Sequence, residues 1–427
     1  MKQSFGKLHI RKRTASEWIL YFIFFLPIVQ AFLSEFIGIP DAIKFLADAA
    51  LICLLIKIIL IIKNVRIGKG VKPFLVLISV FFVYTLITYF FNFQSIFYYL
   101  WGLRNNFRFY IAFMAYVLFL SWEDAKSWLK VLDWLFVLNF FVLLVQFFMG
   151  YRQDYLGGIF GVQKGCNGTL LVFFSVVTIK TVLEFMRNEG STVKCIIFTF
   201  IGLLCSALSE LKFFFLLFIG IVLAVVIMTK SSIRKTVFIT LAIIMILAFS
   251  ALLSVMYEEF AGFLSIDKLW VAFLNPNYAT DEDIGRLTAI PAISDYFLTS
   301  VPQQLFGMGL GNADTSSIAL FNTPFFEMYG MLHYTFFSYS FLFLETGIIG
   351  LLLYTSFFIT AFVVALKLYK RKKADPLICQ LTMIFTCVCI AFMFYNGALR
   401  TESAGYLAFF VLALPLISSK ATKNGWV

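Results

Sequence analysis

The chain has 427 residues, of which 61% are hydrophobic and only 13% charged, with a formal net charge of +11. A soluble domain carries about 25% charged residues, so the charge that would coat a water-facing surface is missing, and lipid is the solvent that suits this composition. The bases sit in short clusters between apolar runs. That is the pattern of cytoplasmic loops rather than of a nucleic-acid surface, so no nucleic-acid partner is expected.

In chain order, the basic Arg11-Lys12-Arg13 precedes an apolar run from Trp18. This run is too long for a signal peptide and lacks a small-residue cleavage site, so it reads as a first span. A span needs about 20 apolar residues. The runs fall at roughly 18–37, 42–62, 74–92, 107–121, 129–149, 168–186, 195–209, 212–229, 236–256, 346–366, 377–395 and 404–418. The two short runs around Ser209 read either as two spans or as one broken, re-entrant element. With the N-terminus inside, most of the 34 Lys and Arg residues fall in the cytoplasmic loops. Both termini then lie inside only if the number of spans is even, which favours about twelve. The expected fold is therefore all-α, a polytopic transmembrane helix bundle: residues 1–256 form spans 1–9, residues 257–336 one large extracytoplasmic loop, and residues 337–427 spans 10–12 with a cytoplasmic tail.

The seven cysteines give no disulfide framework, because all but Cys166 lie in apolar runs. Cys387 and Cys389 are two apart on a helix, face different directions and read as packing. No His pair at ligand spacing and no Cys cluster in the outside loops suggests a metal, so neither a metal nor a cofactor is expected.

The long loop is the least membrane-like part. It holds Pro276, Pro291, Pro302 and Pro324, the acidic run Asp281-Glu282-Asp283 ahead of Gly285-Arg286, and the turn Gly307-Met308-Gly309-Leu310-Gly311. Asp283 is placed to cap a helix through Arg286 to about Thr299. An insertion of this length in a compact protein is usually functional. No repeat relates the two halves, which counts against a transporter built by duplication.

Bases on the expected outer side need an explanation beyond orientation. Arg104 and Arg108 lie one helical turn apart. Lys164, Lys212, Arg286 and Arg400 complete a set of outward cations. Their plain readings are snorkelling to headgroups for Arg104 and Arg108, an ion pair for Lys212, and a solvated charge for Arg286. Guanidinium groups bind phosphate through paired hydrogen bonds, so together these cations suit a lipid-linked diphosphate, anionic at the membrane surface and apolar below it. His333, the one histidine outside the N-terminal tail, can take a proton from a sugar hydroxyl or be merely structural. Glu345, beside a long apolar run, can orient a partner, act as a base or balance an Arg.

Four segments carry a family resemblance. Gly285-Arg286 followed by a helix and Leu305-Phe306-Gly307-Met308-Gly309-Leu310-Gly311 resembles the Gly-Arg helix and Gly-x-Gly-x-Gly turn of the O-antigen and capsular polysaccharide polymerases, relatives of the O-antigen ligases. Leu344-Glu345-Thr346-Gly347-Ile348-Ile349-Gly350 is similar to the element that opens the family's span after the large loop. Ser209-Glu210-Leu211-Lys212 is similar to its Ser-Arg or Ser-Lys pair, with Glu210 and Leu211 intervening. The stretch from Gly157 to Gly161, with Gln163 to Asn167, resembles a segment of capsule and exopolysaccharide members. Ligase relatives place a His nine residues before the Glu, and Phe336 occupies that position here.

The resemblance implies a metal-independent glycosyltransferase that joins polyprenyl-diphosphate-linked oligosaccharide repeats on the outer face of the cytoplasmic membrane. Its partners would be the lipid-linked repeat, the bilayer, and a chain-length regulator and flippase of the same pathway. It also implies catalytic roles for Arg286, His333 and Glu345, and diphosphate binding by Arg104, Arg108, Lys164, Lys212, Arg286 and Arg400. The competing readings are a ligase-type glycan transferase and a transporter or flippase for lipid-linked sugars.

Overall fold

The computed structural model describes residues 13–64, 68–229, 233–257, 265, 267–268, 283–316 and 318–422. Lys2, Lys7, Arg11, Lys12, Arg66, Lys230, Lys423, Pro276, Asp281 and Glu282 lie outside the described residues. Among the described residues there are helices and turns and no strand. The helices are α1 (Ala15–Phe32), α2 (Lys44–Asn64), α3 (Lys72–Phe91), α4 (Ile96–Phe119), α5 (Trp122–Phe148), α6 (Asn167–Met186), α7 (Thr192–Leu208), α8 (Lys212–Met228) and α9 (Ile233–Met256). After them come the short α10 (Ala289–Tyr296), α11 (Val301–Phe306) and α12 (Pro324–Tyr329), then α13 (Ser338–Lys370), α14 (Pro376–Tyr395) and α15 (Glu402–Lys420).

Nine helices among the described residues are long and apolar enough to cross a membrane: α1 with its extension to Ile37, α2, α3, α5, α6, α9, α13, α14 and α15. α7 and α8 are apolar but shorter, and α4 is interrupted by Arg104, Asn105, Asn106 and Arg108. The burial pattern fits a bundle in lipid. α6 and α15 run through the centre with 94% and 89% of their apolar windows buried, whereas α2 and α3 bury only 22% and 28% and turn the rest of their apolar surface outward. An apolar outer face of that extent is stable in hydrocarbon and not in water.

Local chemistry sets the helix starts. Thr14 and Glu17 form a reciprocal capping box on α1, Ser121 accepts the Asp124 N–H at α5, and Asp375 caps α14 ahead of Pro376. Each satisfies N–H groups that have no partner within the helix. α7 and α8 are separate helices that reverse at Ser209–Leu211, with Glu210 in the left-handed region at φ 58°. The short runs around Ser209 are thus a hairpin.

Three boundaries differ from the sequence expectation. α4 starts at Ile96, so Arg104 and Arg108 lie within it rather than at its mouth. Tyr, Trp, Leu and Arg are adequate helix formers even where hydropathy falls. α13 starts at Ser338, which puts Glu345 inside the helix. The helix expected from Asp283 to about Thr299 is only Ala289–Tyr296, because residues 286–288 form a turn and Asp283 is engaged elsewhere.

Between α9 and α13 no described helix exceeds eight residues. This segment is fastened to the bundle backbone to backbone. Gly347, at φ 62° and ψ −172°, breaks α13. At the break the carbonyls of Leu344 and Glu345 accept the N–H groups of Met308 and Gly309 at 3.0 and 2.9 Å. A Cβ on Gly307 would sit 2.5 Å from the Glu345 carbonyl, and one on Gly102 of α4 would sit 2.6 Å from the Gly311 nitrogen. Glycine is required at these contacts because two backbones occupy the space of a side chain.

The segment 157–161 is held in the same spirit. Gln146 of α5 exchanges hydrogen bonds with both backbone groups of Gly158 at 2.7 and 2.8 Å. Asn139 accepts the Ile159 N–H at 2.9 Å. These polar side chains are buried in an apolar helix because the short 3-10 turn beside them has backbone groups to satisfy.

Candidate functional site

The starts of α2, α4, α6, α8, α13 and α15 and the end of α14 meet at one end of the bundle. There the polar side chains form two groups. The first is an ion network between α2, α4 and α15. Arg104 donates to Asp48 at 2.9 and 2.7 Å and to Glu402 at 3.2 Å. Arg108, only 4% exposed, pairs with Glu402 and donates to the Arg400 carbonyl at 2.9 Å. Arg400 reaches Asp314 at 3.3 Å and lies over the Phe341 ring. Asn105 donates to the other Asp314 oxygen at 2.7 Å. Burial without pairing is expensive for a guanidinium, and here each buried Arg has a carboxylate.

Glu345 lies beneath this network, fully buried. One of its oxygens accepts the Ala313 N–H at 3.2 Å, and the other is buried without a hydrogen-bond partner. Tyr334 closes the same corner by donating to the Ala313 carbonyl at 2.7 Å. Burial pushes the Tyr334 hydroxyl far above the ordinary phenol range, so it remains a donor.

The second group surrounds Arg286 and His333. His333 Nδ1 lies 2.7 Å from Asp283. The Asp283 side chain is 1% exposed while that of His333 is 37% exposed. The two are pinned together by the Ile284 N–H donating to the Leu332 carbonyl at 3.1 Å. His333 adopts φ 54° and its ring stacks on Phe336 at 4.3 Å. His333 is the left-handed residue between the 3-10 turns Gly330–Leu332 and Tyr334–Phe336, which turns its ring onto Phe336. A buried carboxylate on Nδ1 fixes the tautomer and leaves Nε2 to accept a proton.

The Arg286 guanidinium lies over the Tyr395 ring at 4.6 Å, and Tyr395 stacks on Phe213 of α8 at 4.0 Å. The preceding residue, Lys212, pairs with Glu210 at 3.2 Å. On a regular helix residues two apart do not meet; the left-handed Glu210 backbone at the hairpin brings them together. Lys164 is exposed in the turn before α6 and has no ion pair among the described residues.

The structure thus brings Arg104, Arg108 and Arg400 into one network, lays Arg286 on Tyr395, which stacks on Phe213 next to Lys212 in the sequence, and holds His333 on Asp283, three residues from Arg286; no contact among the described residues ties Lys164 to either group. Sequence reading missed the carboxylates that hold the cations, namely Asp48, Asp314 and Glu402, and the role of Asp283. Glu402 and Asp48 carried a usable signal, since an acid inside or beside an apolar run needs a partner. Among the described residues no group of three or more His, Cys, Asp or Glu side chains is arranged to hold a metal ion.

The opposite end is built differently. Arg13 pairs with Asp124 at 2.9 Å, and Lys180 and Lys194 converge on Asp133 at 2.7 Å each. Arg187 donates to Gln380, which itself donates to the Met228 carbonyl at the end of α8. These contacts join helix ends to one another and involve none of the candidate site residues.

No protein-family model matches the chain, and no curated protein matches it.

Proposed function

We propose that this chain is a polysaccharide polymerase of the cytoplasmic membrane that crosses the bilayer twelve times with both termini inside. The end carrying Arg286 and His333 faces outward, and residues 257–336 form its extracytoplasmic loop. The reaction joins oligosaccharide repeats carried on polyprenyl diphosphate. An acceptor sugar hydroxyl attacks the anomeric carbon of the donor, the bond from that carbon to the diphosphate oxygen breaks, and the hydroxyl proton passes to His333 Nε2. Arg286 and Lys212 stabilise the charge that develops on the leaving diphosphate. Asp283 orients His333.

The observation that carries this reading is the buried Asp283 on Nδ1 of a half-exposed His333, three residues before Arg286 in the same segment. A surface histidine with no task needs no buried carboxylate behind it. The paired state of Arg104, Arg108 and Arg400 gives them a different role from the one the sequence suggests. They hold α2, α4 and α15 and the loop at Asp314 in place, while Glu345 holds the loop at Ala313. Lys164 is left as a peripheral contact for anionic substrate.

Replacing Arg286 with Ala tests the proposal in cells making the polymer. Long polymer disappears and single lipid-linked repeats accumulate on the outer face. Repeats retained on the cytoplasmic face would instead identify a flippase. Polymer that forms normally but fails to reach its final acceptor would identify a ligase.

A further inference from the structure

One stretch of the long segment between α9 and α13 carries no charge. From Tyr296 to Ala313 there is no Asp, Glu, Lys, Arg or His. α11 lies in this stretch and exposes apolar side chains, Val301 at 68% and Leu305 and Phe306 at 37% each. Tyr296, which closes α10, is 77% exposed. In water this surface has no charged group to keep it in solution.

The neighbours of α11 set its level. The Tyr84 hydroxyl of α3 donates to the Thr346 carbonyl at 2.6 Å and reaches the Leu305 carbonyl at 3.2 Å. The Tyr84 ring stacks on Phe306 at 6.4 Å. α3 is long and apolar enough to cross a membrane, and Tyr84 stands seven residues, about 10 Å, before its end at Phe91. Beyond Tyr84, α3 still exposes Ile87, Phe90 and Phe91. α11 thus lies beside the last turns of a helix that turns apolar side chains outward, and its own exposed residues continue that surface.

The backbone follows the rule that lipid imposes. Hydrocarbon tolerates an exposed helix but not exposed irregular chain. α11 is helical where it is exposed, and the turn after it is buried at Gly307, Gly309, Leu310 and Gly311. Both ends of α11 are satisfied within the protein. Ser300 and Gln303 form a capping box, the Gln303 carbonyl accepts the Gly307 N–H at 2.7 Å, and the Leu305 carbonyl has Tyr84. Polarity also falls along the helix, from the exposed Thr299 and Ser300 ahead of it to Leu305 and Phe306 at its end.

We infer that α11 is seated in the outer leaflet, with Val301, Leu305 and Phe306 among the upper acyl chains and Tyr296 at the headgroups, so that the partner of this face is a lipid surface. Amphipathic helices that rest on membranes bury their apolar side about 5–10 Å into this boundary, and Tyr is enriched at the same level. The orientation proposed above names the leaflet; the seating itself does not depend on the reaction. Because α10 and α11 follow directly on the segment 283–286, the seat also fixes the height of Arg286 relative to the headgroups.

The test uses the full-length protein in phosphatidylcholine nanodiscs, with an environment-sensitive fluorescent amino acid in place of Leu305. Phosphatidylcholine brominated in the upper acyl chain should quench it to within about twofold of the same probe at Val80, an exposed position of α3, and aqueous iodide should quench it about tenfold less than the probe at Arg371, in the turn after α13. Val301 is the second labelling position if the probe at Leu305 changes the size-exclusion profile. Iodide quenching equal to that at Arg371 places α11 in water, and quenching by neither agent means that protein, a second copy or another chain, covers it. Either result overturns the inference. The Arg286→Ala product test stands or fails separately, because this experiment reads position and not product.

Discussion

Among the described residues Glu402 is the one carboxylate that Arg108 touches, and Glu402→Gln removes it. Arg104 keeps Asp48 in that variant, at 2.9 and 2.7 Å, but Arg108 is left with the Arg400 carbonyl alone, in a position only 4% exposed. Breaking a buried ion pair from one side is destabilising by about 3–5 kcal/mol, because the surviving charge stays desolvated. Asp48→Asn is the matched control. It removes one of two carboxylates from Arg104, whose side chain is 18% exposed, and should be destabilising by about 1 kcal/mol. The asymmetry is specific to this network, since the two acids look equivalent along the sequence. The assay is unfolding of the purified protein in mixed micelles, followed by loss of helical signal against denaturant. A third arm replaces both partners, Arg108→Met with Glu402→Met. Filling the space with apolar side chains of similar size should return stability to within about 1 kcal/mol of the parent. If Asp48→Asn proves as harmful as Glu402→Gln, or if the double Met variant is as unstable as the single, the assignment of Glu402 as the paired counter-charge of Arg108 is wrong.

Other expectations are more compact. His333→Ala should lower polymer formation by about 10²–10⁴, and Asp283→Asn should lower it less; a loss equal to that of His333→Ala would show that Asp283 does more than orient the imidazole. Gly347→Ala should be destabilising by about 1–3 kcal/mol from backbone strain alone, and limited proteolysis should then cleave more readily within residues 300–316. Burial pushes the Cys166 thiol up to about 12 from an ordinary 9.0, which leaves about a thousandfold less thiolate at pH 8 than an ordinary cysteine has. Maleimide should therefore label native Cys166 slowly and label it fast once denaturant is added. The sign for stability follows from the same shift. The folded protein keeps this proton while the unfolded chain loses it, so the contribution is intact below pH 9 and declines as pH rises toward 12.

The helices were legible because a lipid-facing or core-facing helix must be apolar along its length, and apolar runs survive any packing arrangement. Their limits were less so. α4 and α13 both continue past the point where hydropathy falls, since Arg104, Arg108 and Glu345 are paid for by tertiary partners that no local window contains. The candidate cations were visible as bases away from the loops expected to be cytoplasmic, but their state was not. Arg108 and Glu402 are separated by 294 residues, and Asp283 from His333 by 50. Pairing over such distances is decided by how the helices stack. The Lys212–Glu210 contact was illegible for the opposite reason: it is local, yet it depends on one residue taking a left-handed backbone that helical spacing rules do not anticipate.

The break at Gly347 has a consequence for biogenesis. The carbonyls of Leu344 and Glu345 turn to the N–H groups of Met308 and Gly309, and a carbonyl without a partner in hydrocarbon is costly by several kcal/mol. Residues 308–309 leave the ribosome well before residue 347. The donors are therefore already made when the broken helix reaches the bilayer, and the order of synthesis supplies them ahead of need. A circular permutant that began at α13 would reverse that order and send an unsatisfied helix into lipid first.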